Sequence, residues 1–180
     1  MEPAKRASAL AHYLEGVGLR ATERLVGVSH NAVMNWVLEE VEARRWPRPK
    51  RMRSSGSKPT SYGPMWAKKT ACWLWWALDR VTKKVCGWTL GDRGTETARR
   101  LDAQLPHAGH ITFCTDFWHP YGLIFAQHRH LQGKAHTFTI ESHNNRLRVY
   151  LARLRRRTHC YTKKLANLAA SILFYLLTKT

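Results

Sequence analysis

Acidic side chains are scarce in this chain. Its 180 residues carry 12 Asp and Glu against 30 Lys and Arg, a formal net charge of +18, and within residues 103–180 only Asp116 and Glu141 are acidic. Such a balance points to a polyanionic partner, nucleic acid before an anionic membrane surface. Cysteine is sparse too: Cys72, Cys86, Cys114 and Cys160 stand far apart with no C-x-x-C. That spacing indicates neither a zinc ribbon nor a disulfide framework and fits a reducing cytoplasm. Long apolar runs are missing as well. Residues 165–178 are too short to span a bilayer and read as a packed helix. Met1 to Gly16 has no uninterrupted apolar stretch, so no secretory leader and no membrane partner are expected. Eight Trp and six Tyr argue against a merely disordered basic tail.

Taken from the start, residues 4–15 place Ala7, Leu10, Ala11 and Leu14 on one helical face, and Gly16 and Gly18 end that helix. A second short helix, Ala21 to Val26, stops at Gly27. Ser29 can then cap a third helix whose Val33, Trp36 and Val37 point inward. This is helix-turn-helix punctuation. It predicts a small DNA-binding domain over 1–45, with His30, Asn31, Met34 and Asn35 projecting from the recognition helix toward base edges. From Ala43 to Leu78 there is no acid but nine basic residues, and Pro47, Pro49, Pro59, Pro64 and Ser54-Ser55-Gly56-Ser57 forbid a continuous helix or strand. Residues 46–65 therefore read as a basic linker, either neutralising phosphates or serving as a plain tether.

Beyond the linker, Cys72 to Leu78 and Lys84 to Leu90 read as a strand hairpin, and Glu96 to Leu105 as a helix with Ala98, Leu101 and Leu105 inward. A buried strand over 111–115 ends at Asp116. Glu141 opens a long helix with Asn144, Asn145 and Arg148 on the carboxylate's face and Leu147, Leu151 and Leu154 opposite. Arg153, Arg155, Arg156 and Arg157 form its basic end, suited to phosphates or to the helix C-terminus. This order of elements predicts an α/β fold. One carboxylate at a strand end and another in a helix's first turn can converge on a metal ion. His119, His128, His130, His136 and His143 lack companion ligands at zinc spacing, so structural or DNA-facing roles are expected for them.

The text around both acids resembles the transposases of the insertion-sequence-one family, a branch of the DDE enzymes. Thr115-Asp116-Phe117-Trp118 followed by Tyr121, and Ile140-Glu141-Ser142-His143-Asn144-Asn145 with Leu147-Arg148, carry the likeness, and the interval of 25 between the acids matches the family's second and third carboxylates. Trp73 to Arg80, Gly91-Asp92-Arg93 and Glu96-Thr97-Ala98-Arg99 follow the family in the same order, so the resemblance covers most of residues 66–180. It implies a ribonuclease-H-like mixed sheet flanked by helices over 66–180, preceded by the helix-turn-helix domain. It implies Asp116 and Glu141 as catalytic and metal-holding groups, Mg2+ in a two-metal site, and metal-dependent cleavage and transfer of DNA strands. The implied partner is double-stranded DNA, as insertion-element ends and as target, in the cytoplasm at the nucleoid, with self-association left open.

The family's first Asp has no counterpart. Aligned on Trp66, its D-E-[LM]-W acids fall on Gly63 and Pro64, and Asp79 and Asp92 match non-catalytic positions. Impaired catalysis is therefore expected. The alternatives from other classes are a non-catalytic DNA-binding protein that represses transposition and a basic protein bound to RNA. A shifted reading frame accounts for the gap: back-translated from each third codon base, Gly56 to Lys69 permits I-E-A-D-E-L-W-P-Y-V-G-Q-K. Residues 46–67 would then be out-of-frame text, and a sheet without its opening strand would be one element short.

Overall fold

The computed structural model of the chain describes residues 3–44, 55–57, 60–61, 72–106, 111–136, 138–155, 160 and 164–179. They form two compact units, one from the described residues within 1–46 and 145–180, the other from those within 47–64 and 69–144. Apart from 55–57 and 60–61, the expected linker lies outside the described residues, as do Gly63 and Pro64.

The first unit is helical. Its α1 (Pro3–Leu14), α2 (Leu19–Val26) and α3 (His30–Ala43) are set by the punctuation read above: Gly27 ends α2 at φ 70°, and the Ser29 side chain accepts from Ala32 N at 3.2 Å to cap α3. The buried face of α1 differs from the expected one, because Ala7 and Ala11 are exposed while Ala9, Tyr13 and Leu14 are buried. Tyr13 decides this rotation, since its ring is the largest apolar surface on the helix. Its hydroxyl donates to Ser171 Oγ at 2.7 Å on α7 (Leu165–Lys179), and Ala170 and Phe174 of that helix join the same core as Val33, Trp36 and Val37. Burial raises the Tyr13 pKa above its ordinary value, against the opposing Arg153 charge.

The second unit is a mixed α/β body. β1 (Ser55–Ser57) and β2 (Thr60–Ser61) both pair antiparallel with β3 (Trp73–Asp79) in a single register, Ser55 opposite Asp79 and Ser61 opposite Trp73. β4 (Val85–Gly91) pairs antiparallel with the other edge of β3, while β1 runs parallel to β5 (Thr112–Thr115) and β5 parallel to β6 (Arg129–Gln132). The position beside β3 is thus filled, among the described residues, by 55–57 and 60–61, so the sheet is not left without a strand there.

Apolar burial on both faces of β3 explains its W-L-W-W-A-L run. Trp75 and Ala77 pack with Ala98 and Leu101 of α4 (Thr95–Asp102), Phe113 of β5, and Tyr121 of α5 (His119–Ile124). On the opposite face Trp76 meets His143 of α6 (Phe138–Tyr150) edge-on at 5.9 Å. The β3–β4 turn is held by the buried Asp79 carboxylate, which accepts from Val81 N and Thr82 Oγ1, each at 2.9 Å.

Helix α6 corrects two expectations. It opens at Phe138, before Glu141, and it ends at Tyr150, with a 3-10 turn over Ala152–Leu154 beyond it. Leu147, Leu151 and Leu154 are all buried, but only the first lies on the helix, and Arg153 and Arg155 fall past its end. Asn144, expected on the carboxylate's open face, is buried. Among the described residues no helix is long and apolar enough to cross a membrane.

Candidate active site

Asp116 is the first residue after β5, and the loop that carries it is anchored from both sides. Trp118 N donates to Asp116 Oδ1 at 3.1 Å, so the carboxylate closes its own turn. The Trp118 ring meets Trp75 at 5.2 Å and Tyr121 at 5.0 Å, both edge-on, which ties the loop to the core of the sheet. Glu141 stands in the first turn of α6. Asp116 and Glu141 line one cleft of about 790 Å³, together with the cations Arg93 and Lys134 and the aromatics Phe117, Trp118 and Phe138.

The cations are placed by different means. Arg93 follows β4, and its guanidinium lies over the Trp73 ring at 5.2 Å. Gly91 permits this turn, because a Cβ there would collide with Thr97 Oγ1. Lys134 opens the 3-10 turn Lys134–His136 that follows β6. His119, at the start of α5, lines the same cleft. Arg93 and Phe117 enter the sequence reading only inside motifs that carry the family likeness, with no role given, and Lys134 and Phe138 do not enter it at all.

Two carboxylates on one cleft suit a magnesium ion, which takes one or two protein carboxylates and completes an octahedral shell with phosphate oxygens and water. Among the described residues no three His, Cys, Asp or Glu come together as a ligand set, so a two-ion site is not assembled from them. Asp79 is committed to its hairpin turn, and Asp92 accepts from Gly94 N at 3.1 Å and Thr97 Oγ1 at 2.6 Å at the start of α4. The Thr97 hydrogen bond, first, and the Gly94 one hold the Asp92 pKa below its ordinary value.

The residues expected to meet DNA divide. Asn31 and Asn35 are exposed on the first turns of α3. His30 pairs through Nδ1 with Glu23 Oε2 at 2.9 Å, which ties α3 to α2. Met34 does not project: it is buried in the helical core beside Val33 and Val37, because an apolar thioether there gains more from packing than from water. Arg153 also turns inward, donating to Asn167 O at 3.3 Å and lying over the Tyr13 ring at 5.7 Å. Arg155 is exposed and donates to Val149 O at 3.3 Å, Arg148 is half-buried, and Arg156 and Arg157 lie outside the described residues.

Of the histidines, His128 packs against Phe113 at 5.3 Å, His130 bonds Thr115, and His143 is buried on Trp76. The side chain of His136 is outside the described residues.

Comparison with known proteins shows the family. The model of a family described as IS1 transposase matches residues 60–179. The chain belongs to the IS1 transposase family. Insertion element iso-IS1n protein InsB of Shigella dysenteriae is 37% identical over 91 residues, 51% of this chain and 70% of that one. Insertion element IS1 protein InsB of Shigella flexneri is 33% identical over 102 residues, 57% of this chain and 78% of that one. A cryoEM structure of the simian T-cell lymphotropic virus intasome in complex with PP2A regulatory subunit B56 gamma aligns at a TM-score of 0.46 and 16% identity, covering 94% of this chain and 65% of that one, too loose a likeness to bear on function. The IS1 transposase match includes Asp116, Glu141 and every other residue of the cleft.

Proposed function

We propose that this IS1-family chain binds insertion-element ends and cleaves and joins DNA strands with the aid of a divalent metal, through Asp116 and Glu141. The observation that carries the reading is the meeting of these two acids, one after a strand and one in a helix's first turn, on a single cleft with Arg93 and Lys134. A ribonuclease-H-like sheet is supported by the order β4-β3-β1-β5-β6, antiparallel on one side of β1 and parallel on the other, with Asp116 at the carboxyl end of an inner strand. A helix-turn-helix is supported by the Gly27 turn, the Ser29 cap and the exposed Asn31 and Asn35.

Magnesium held by Asp116 and Glu141 would supply Lewis-acid stabilisation of the charge that develops on the phosphate. The protein's own part is placement. The Trp118 N–H holds one Asp116 oxygen in place, and Arg93 and Lys134 line the same cleft as cations that would attract phosphates. Without the family's first carboxylate the cleft lacks several kcal/mol of transition-state stabilisation, on the order of 10²–10⁴-fold in rate. The test is strand cleavage of element-end DNA in Mg2+. Slow cleavage is expected from the parent and none from Asp116→Asn or Glu141→Gln, both of which keep DNA affinity. Cleavage that survives either substitution would refute the assignment, and DNA binding with no cleavage by the parent would leave a non-catalytic repressor.

A further inference from the structure

Phe117 and Phe138 are the only aromatic side chains among the large apolar ones left mostly exposed in the described residues, at 67% and 78%, and both line the cleft of Asp116 and Glu141. A phenyl ring left in water forgoes the gain of burial, so two on one cleft call for a partner. Their places are locked to the acids by covalent geometry. Phe117 follows Asp116 directly, and Phe138 precedes Glu141 by one helical turn on the same face of α6. The Trp118 ring, by contrast, is packed edge-on against Trp75 and Tyr121.

Apolar ring faces beside Arg93 and Lys134 match one ligand chemistry in particular. A base in a duplex already stacks on its neighbours, whereas an unpaired base on a single strand offers a free π face next to its phosphates. We propose that Phe117 and Phe138 form a stacking site for an unpaired nucleobase of a DNA strand whose phosphates are drawn to Arg93 and Lys134. The role of that base in strand transfer rests on the reading of the preceding subsection; the stacking itself does not.

The test uses the full chain at fixed salt without divalent metal, and two labelled probes: a blunt duplex, and the same duplex with a short 3′ single-stranded extension. The parent is expected to bind the extended probe roughly 5- to 100-fold more tightly, the worth of a stacked base. Phe117→Ala and Phe138→Ala should each reduce that preference and leave blunt-duplex affinity unchanged, while Phe138→Trp keeps it. Equal affinity of the parent for both probes, or a preference untouched by both alanines, overturns the proposal. Asp116→Asn should retain the preference. A missing preference alongside Mg2+-dependent cleavage that Asp116→Asn abolishes would sink the stacking site and spare the transposase reading; a Phe-dependent preference with no cleavage would do the reverse.

Discussion

Thr115 has one hydroxyl proton and two neighbours within reach of it. It donates to the Asp116 carbonyl at 3.0 Å, so it must accept from His130 Nε2 at 2.7 Å, which puts the neutral ring's proton on Nε2. Burial lowers the His130 pKa below its ordinary value of 6.5. The fold therefore favours the neutral ring, and the unfolded chain takes up the proton more readily. Stability from this group is intact at neutral pH and is lost as pH falls through 6.5 toward the folded value. The gap in melting temperature between the parent and His130→Asn should narrow between about pH 7.5 and about pH 5.5; a gap constant across that range would show that His130 carries no such linkage. At this scale the sequence was legible where chemistry is rare. Asp116 and Glu141 stand out because nothing else after residue 102 is acidic. Lys134 could not stand out, since a loop cation among 30 Lys and Arg looks like any other, and the motif that contains Arg93 gave it no role. Met34 misled because its flanks are polar on one side and apolar on the other, and only the packed bundle shows which side it joins.

A helical domain of about 45 residues is too small to bury a sufficient core alone, since the buried fraction falls with chain length. Helix α7 answers this by placing Ala170 and Phe174 among Ala9, Tyr13, Val33 and Val37. Phe174→Ala is thus expected to cost about 3–5 kcal/mol and to melt α1 to α3 together with α7. Denaturant unfolding followed by circular dichroism measures it, and a loss below about 1 kcal/mol would show that the first three helices stand by themselves. Periodicity and capping made α1 to α4 and the β3–β4 hairpin readable, down to the Ser29 cap. β6 was not, because an edge strand of Arg-His-Leu-Gln with little burial has no alternation to detect. β1 and β2 read as linker in the sequence for a related reason: ladder hydrogen bonds join main-chain groups, so Ser-Gly-Ser can occupy a strand position that its side chains do not announce. The same fact explains how 55–57 fill a strand position while contributing no carboxylate.

Charge is distributed over the molecule without a preferred half. Residues 1–46 and 145–180 together hold fifteen Lys and Arg against six acids, and residues 47–144 fifteen against six. Neither unit can neutralise the other, so the surplus of +18 must be met by an external polyanion or by a cloud of small anions. These two cases separate by salt. A protein that displaces counterions from DNA loses affinity as a power of salt concentration, with an exponent of ~0.9 per phosphate contacted. The affinity of this chain for duplex DNA should therefore fall at least ~10³-fold between about 50 and about 200 mM salt, as six or more phosphate contacts require. Arg93→Ala and Lys134→Ala should each reduce the exponent by roughly one on a probe that reaches the cleft, because each removes one phosphate contact there. An exponent that neither substitution changes would place the DNA away from Asp116 and Glu141, and Arg93 and Lys134 would then not be phosphate contacts.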